Sequence, residues 1–161
     1  MANVRPIPEG YTTVTPSITL RDTVKAIEFY KRAFGAKDEA VMKGPDGKVM
    51  HAVVKIGNAH VMMNDEVMGS RSAETQGGSP VSFYLYFENV DAVYEQAVAA
   101  GAKGEMKPVD MFWGDRMSHV IDPFGLRWNI ATRVKDVSPD EMKRGQEEFM
   151  KEMASRMASQ R

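Results

Sequence analysis

The chain repeats itself, and that repeat narrows the folds open to it more than any other feature. Residues 15–39, "TPSITLRDTVKAIEFYKRAFGAKDE", lie without a gap on residues 81–105, "VSFYLYFENVDAVYEQAVAAGAKGE". Identities fall at Val24/Val90, Ala26/Ala92 and Ala33/Ala99, then in the block Gly35/Gly101, Ala36/Ala102, Lys37/Lys103 and Glu39/Glu105. The likeness continues downstream. "KVMHAVVKIGNAHVMM" lies on "RMSHVIDPFGLRWNIA" with Gly57 on Gly125, which also sets His51 on His119.

Both copies have the same order of elements. Each opens with an extended segment rich in β-branched and aromatic residues, 13–20 and 81–87, a composition suited to a pleated surface. A helix follows, about 23–34 and 89–100. Val24, Ile27, Tyr30 and Phe34 share one side of the first, and Val90, Val93, Ala97 and Ala100 one side of the second. Asp22 or Thr23, and Asn89, stand where a helix takes its N-cap, and Gly35 and Gly101 where it ends. Three shorter strands complete each copy, near 39–43, 48–56 and 59–63, and near 105–109, 116–121 and 127–131, with turns at "GPDG" and "DPFG".

The expected fold is therefore α+β: two tandem βαβββ repeats forming a curved mixed sheet around a cleft, plus a C-terminal helix. The repeats span about 12–65 and 81–133 within a domain of 11–133. Residues 64–80, rich in Gly, Ser and charge, read as a mobile linker. Residues 134–161 read as a helical extension. Ser138, Pro139 and Glu141 form a capping box with proline in the first turn. Met142, Phe149, Met153 and Met157 fall on one face, which packs on its own domain or on a second subunit.

Composition removes several classes of function. A net charge of −1 with no basic stripe gives no footprint for nucleic acid. No apolar run approaches the roughly 18 residues of a membrane span, and the first eleven residues lack an apolar signal core. With no cysteine there is neither a disulfide framework nor thiol catalysis, and a cytoplasmic location is expected. Thirteen methionines suit an irregular core or an accommodating cleft.

The two βαβββ repeats, the helices "AIEFYKRAFGA" and "AVYEQAVAAGA", and the hairpin "DPFGLRW" resemble the vicinal-oxygen-chelate superfamily. That superfamily includes glyoxalase I, extradiol dioxygenases, and fosfomycin and bleomycin resistance proteins. "FYKRAFGA", "FWGDR" and "DPFGLRW" are most similar to its PhnB-like branch. The resemblance implies a homodimer. It also implies, in the metal enzymes, His and Glu ligands on the first and last strands of each repeat. Those positions fall here at Thr15 or Ser17 and near Ser82, and at Val61 or Met63 and Asn129. Hydroxyl, thioether and amide groups make a poor divalent-metal site, so no metal and no cofactor are expected. A divalent metal held by His51 and His119 is the alternative. His60 faces the other side of its strand and reads as structural or exposed.

Tyr84 and Tyr86 share a face with Ser82. With Asn129 and Met63 they outline an aromatic-polar cleft for a neutral or weakly anionic organic molecule. Phe112 and Trp113 stand near its mouth, where they cover a ligand or pin the loop. Arg116 pairs with Asp115 or holds an anionic ligand. Residues 122–125 read as turn chemistry. The sequence thus points to a small-molecule-binding protein of this superfamily. Two alternatives stand beside it: a lyase, isomerase or dioxygenase using His51 and His119, and an interaction protein acting through its last helix.

Overall fold

The computed structural model describes residues 4–159; residues 1–3 of the N-terminal stretch and 160–161 of the C-terminal extension lie outside them. Unit one runs β1 (Ser17–Leu20), α1 (Thr23–Phe34), β2 (Lys37–Lys43), β3 (Val49–Ile56) and β4 (Ala59–Asp65). After a short helix α2 (Ala73–Gln76), unit two repeats the order. Its elements are β5 (Ser82–Tyr86), α3 (Val90–Ala100), β6 (Lys103–Asp110), β7 (Asp115–Ile121) and β8 (Arg127–Arg133). A long helix, α4 (Pro139–Ser159), ends the chain.

Each unit carries its own four-stranded mixed sheet, ordered β1-β4-β3-β2 and β5-β8-β7-β6. The first strand pairs parallel to the last, and the other ladders are antiparallel. Helices α1 and α3 cover one face of their own sheets and pack on each other. One core results, with Ile18, Leu20, Phe29, Tyr30, Phe34 and Met63 from unit one and Val90, Val120, Leu126, Trp128 and Ile130 from unit two. The opposite, outer faces of the two sheets are left without a helix of their own unit.

The helix limits follow from their caps. The Asp22 carboxylate accepts from the Lys25 N–H at 3.0 Å, and Asn89 does the same for Ala92 at 3.0 Å. Each satisfies one of the backbone donors that a first turn leaves free. Gly35 ends α1 at φ +65°, a left-handed conformation that costs a residue with a Cβ. The buried stripe of α1 is Ala26, Ile27, Phe29, Tyr30, Ala33 and Phe34. Val24, expected on it, is 44% exposed, because Thr23, fully buried, takes the first-turn place on this stripe.

Residues 64–80 are structured, not a slack connector. Asn64 and Asp65 still belong to β4. The Glu66 carboxylate accepts from the Ser72 N–H at 2.8 Å and its hydroxyl at 2.7 Å, closing the loop between them. Ser72 in turn caps α2. The Asp65 carboxylate binds the Thr23 N–H at 2.8 Å and the Val49 N–H at 2.7 Å, tying α1 and β3 to the end of β4. Gly, Ser and charge without periodicity read as a linker; local side-chain bonds to backbone order the stretch instead.

Asp122 joins the units. Its Oδ1 accepts from the Phe124 and Leu126 N–H groups, both at 2.9 Å. Its Oδ2 accepts from Trp128 Nε1 at 2.9 Å and from the Tyr30 hydroxyl at 2.8 Å. "DPFG" is the turn it was expected to be, and its aspartate is also a core hub. Burial pushes this carboxyl above the ordinary aspartate range, although the four bonds pull it down.

Among the described residues, no helix is long and apolar enough to cross a membrane.

Candidate functional site

Strand register shows which residues of the two units are equivalent. Ser17 pairs with Met62 as Ser82 pairs with Arg127. His119 lies opposite Asn129. In unit one Ala52 lies opposite Met63, so His51 lies opposite Asn64. Asn64, not Val61 or Met63, is therefore the counterpart of Asn129. The gapless alignment fails at the hairpin. Gly57 and Asn58 alone connect β3 to β4, whereas residues 122–126 connect β7 to β8. That longer turn shifts the last strand and reverses the face each of its residues was expected to take.

Met63 is accordingly no part of a cleft. It is fully buried on the helix side of β4. Asn64 takes the outer position, its amide donating to the Asp65 carbonyl at 2.7 Å and to the Thr19 and Ser70 hydroxyls at 3.3 Å each. In unit two the Asn129 amide donates to Ser82 Oγ at 3.2 Å and to the Phe83 carbonyl at 3.1 Å. Ser82 and Asn129 thus share the outer face and bond to each other there.

His51 and His119 lie on the outer faces of different sheets, with α1 and α3 between those sheets, so one chain does not bring them together. His119 Nδ1 is buried without a hydrogen-bond partner. His60 is structural, as one reading had it. Its Nδ1 lies 2.8 Å from the Gly10 carbonyl, its Nε2 3.0 Å from Glu39, and its ring stacks on Tyr11 at 4.3 Å. This clamp lays the N-terminal segment on the outer face of β4.

The residues that converge are on unit two. The hydroxyls of Tyr86 and Tyr84 and the indole Nε1 of Trp113 all donate to one oxygen, Oδ2 of Asp115, at 2.9, 3.3 and 3.2 Å. Tyr84 and Tyr86 hold their rings 5.2 Å apart and remain 44% and 63% exposed. Strand alternation places these tyrosines on the outer face, and Trp113 reaches it from the β6–β7 turn. Burial and then the adjacent Asp115 charge push the Tyr84 phenol up to about 12. The hydrogen bond to Asp115 and then burial raise Tyr86.

Arg116 is not at this site. Its guanidinium binds both carboxylate oxygens of Asp91 at 2.8 Å and reaches Asp110 at 2.9 Å. It shares the helix side of β7 with Ser118 and Val120, and neither pairs with Asp115 nor offers a free cation to an anionic ligand.

Phe112 turns towards α4. Its ring lies 5.6 Å from Phe149 and 5.0 Å from Trp113. Gly145 makes this approach feasible, since a Cβ there would come within 2.6 Å of Phe112 Cβ. Beside that contact a groove of about 670 Å³ runs between α4 and the β6–β7 edge. Met106, Val109, His119, Phe149 and Met153 line it, with Glu148 and Glu152 at its side. Its volume is in the range of small-molecule sites. The helix itself buries no residue completely, and the capping box at its start is formed, Ser138 Oγ lying 2.8 Å from Glu141.

The strand positions that hold metal in the metal enzymes do not fit a divalent ion here. They carry Ser17, Ser82, Asn64 and Asn129, which offer neither carboxylate nor imidazole. Among the described residues no three of His, Cys, Asp or Glu stand close enough together to hold one.

Asp115 is the functional candidate that sequence reasoning passed over. Along the chain Asp115 reads as a partner for its neighbour Arg116, yet adjacent strand residues point to opposite faces. Strict alternation from Tyr84 and Tyr86 across the sheet is the signal that could have found it.

Comparison with known proteins agrees with this architecture. A sequence model described as the Glyoxalase/Bleomycin resistance protein/Dioxygenase superfamily matches residues 12–130. The chain is 38% identical over 134 residues to an uncharacterized protein of Mycobacterium tuberculosis (strain ATCC 25618 / H37Rv), covering 80% of this chain and 79% of that one. It is 32% identical over 118 residues to protein YjdN of Escherichia coli (strain K12), covering 67% and 79%. Among solved structures it is similar in fold to a putative 3-demethylubiquinone-9 3-methyltransferase, PhnB protein, from Bacillus cereus. The TM-score there is 0.60 at 17% identity, over 75% of this chain and 99% of that one.

Proposed function

This chain belongs to the Glyoxalase/Bleomycin resistance protein/Dioxygenase superfamily, and within it we propose that the protein binds a small organic molecule on the outer face of its second sheet. The observation that carries this reading is the pair of exposed tyrosine rings held by Asp115. Bulky rings fixed in place yet left open to solvent are ready to cover a flat or apolar ligand at little entropic cost. From them the outer face continues through Met117 and His119 to the groove beneath α4, which gives the ligand a longer path. Ser82 and Asn129 add polar contacts on the same face.

The residues here hold and orient a ligand; none is placed as a nucleophile with its base. Binding without the superfamily's metal follows from the serine and asparagine at its ligand positions. A second copy of the chain completes the site in this reading, because the outer faces expose Met42, Tyr84, Tyr86 and Val109. The cysteine-free composition suits a cytoplasmic setting.

The test is a ligand-observed NMR screen of small aromatic compounds against the wild type and a Tyr84→Ala/Tyr86→Ala double variant, with oligomeric state followed by light scattering. Hits that lose at least tenfold in affinity in the double variant support the surface. Hits that bind both proteins equally place the site elsewhere.

A further inference from the structure

The exposed rings of the ligand-binding surface surround a carboxylate with no cation paired to it, and that charge selects what they recognise. Asp115 is 5% exposed and, among the described residues, forms an ion pair with no lysine, arginine or histidine. Its three aromatic donors all reach Oδ2, which leaves Oδ1 for another partner. The cation opposite it in the sheet register is Arg133. That guanidinium is engaged by Asp136 at 2.7 and 3.0 Å instead of Asp115, although its charge still reaches Tyr86. Arg116, next in sequence, is held on the other face by Asp91 and Asp110.

The phenols bring no competing charge at neutral pH, since both are held above the ordinary tyrosine range. A buried carboxylate normally requires a compensating positive charge or full hydrogen bonding. Here the compensation comes from two phenols and an indole on one oxygen. The faces of those same rings are electron-rich. Two tyrosine rings 5.2 Å apart beside a carboxylate attract a cation by both ring quadrupole and charge, and repel an anion. The weakly anionic ligand that an aromatic-polar cleft alone would suit does not match this arrangement.

We propose that Tyr84, Tyr86, Trp113 and Asp115 form a site for an organic ammonium ion, an alkyl- or arylammonium whose charged head sits against the tyrosine rings beside Asp115. This rests on the ligand-binding surface proposed above and names its substrate class. The ammonium head occupies the open side of Asp115, and its apolar body extends towards Met117 and the groove under α4.

Three probes of similar size and different charge test this: benzyltrimethylammonium chloride, benzyl alcohol and sodium benzoate, each titrated into the full chain. The chain holds two tryptophans, so its indole N–H signals separate readily by NMR. Trp113 reports on the site, and Trp128, bonded to Asp122 in the core, serves as the internal control. The expected result is a Trp113 shift with the cation at about tenfold lower concentration than with either other probe. Asp115→Asn, close to isosteric, should weaken the cation about tenfold more than it weakens benzyl alcohol, so that the preference for positive charge disappears. Three probes that shift Trp113 alike overturn the ammonium assignment and leave the surface standing. Silence of Trp113 towards all three overturns both. A preference for the cation that persists in Asp115→Asn also overturns the assignment, and if that variant does not fold, the charge series on the wild type decides alone.

Discussion

Tyr30, in the first unit, donates its hydroxyl proton to Asp122, in the second, across 2.8 Å. Both groups are buried, and with Trp128 they form a polar centre in a core that is otherwise aliphatic and aromatic. Tyr30→Phe removes one of four donors to Asp122 and should cost about 1–2 kcal/mol in denaturant unfolding. Asp122→Asn should cost more, about 3 kcal/mol, because an amide nitrogen must then face two donors whichever way it is turned. Equal losses in the two variants would show that the hub is no more than a single hydrogen bond.

Gly145 should control how α4 meets the domain. A methyl group there has no room against Phe112 Cβ, so Gly145→Ala should lift the helix from the β6–β7 edge while the core stays intact. Hydrogen exchange in α4 should quicken and the Phe112–Phe149 contact disappear. The free energy of core unfolding should change by no more than about 1 kcal/mol, as for a surface change. An unaltered exchange rate in α4 would mean the helix is held from elsewhere.

Tyr84 gives the site a pH signature. Its phenol is pushed up to about 12, and Tyr30 and Tyr86 are raised as well, so the ultraviolet titration of the wild type minus that of Tyr84→Phe should show the missing transition well above the ordinary value of 10. Burial is the larger cause and the Asp115 charge the second, so Asp115→Asn should lower this value partway. The sign for stability follows from linkage: the folded state keeps a proton that the unfolded chain releases near 10. The contribution is therefore complete below pH 10 and disappears as pH rises towards 12.

Asp136 should act on the site through Arg133. With Asp136→Asn the guanidinium loses its carboxylate and becomes free to turn to Asp115, its neighbour across the ladder. Affinity for benzyltrimethylammonium should drop severalfold, and more steeply at low salt than at high salt. Asp136→Asn combined with Arg133→Gln should restore it. No recovery in the double variant would separate Asp136 from the site.

The fold was legible because its strongest signals are local. Helix caps at Asp22 and Asn89, glycine ends at Gly35 and Gly101, and the capping box at Ser138 each depend on a few neighbouring residues. The copying of one unit into the other tied those signals into an architecture. The site was only partly legible, because it depends on facing. A turn three residues longer in unit two put Met63 in the core and Asn64 on the surface, and nothing within either strand shows this. Arg116 and Asp115 read as partners along the chain, whereas a strand sends adjacent side chains to opposite faces. The order in 64–80 was hidden for another reason: hydrogen bonds such as Glu66 to Ser72 leave no apolar period to detect.

The two helices packed between the sheets have an evolutionary meaning as well. Once a duplicated unit has its copy docked against its back, the frame is shared and the fronts are not. A change on one front, such as the aromatic cluster at Asp115 or the clamp that His60 makes with Gly10, leaves the other free to drift. The chain can thus retain one common ancestor's skeleton while its two surfaces acquire separate histories.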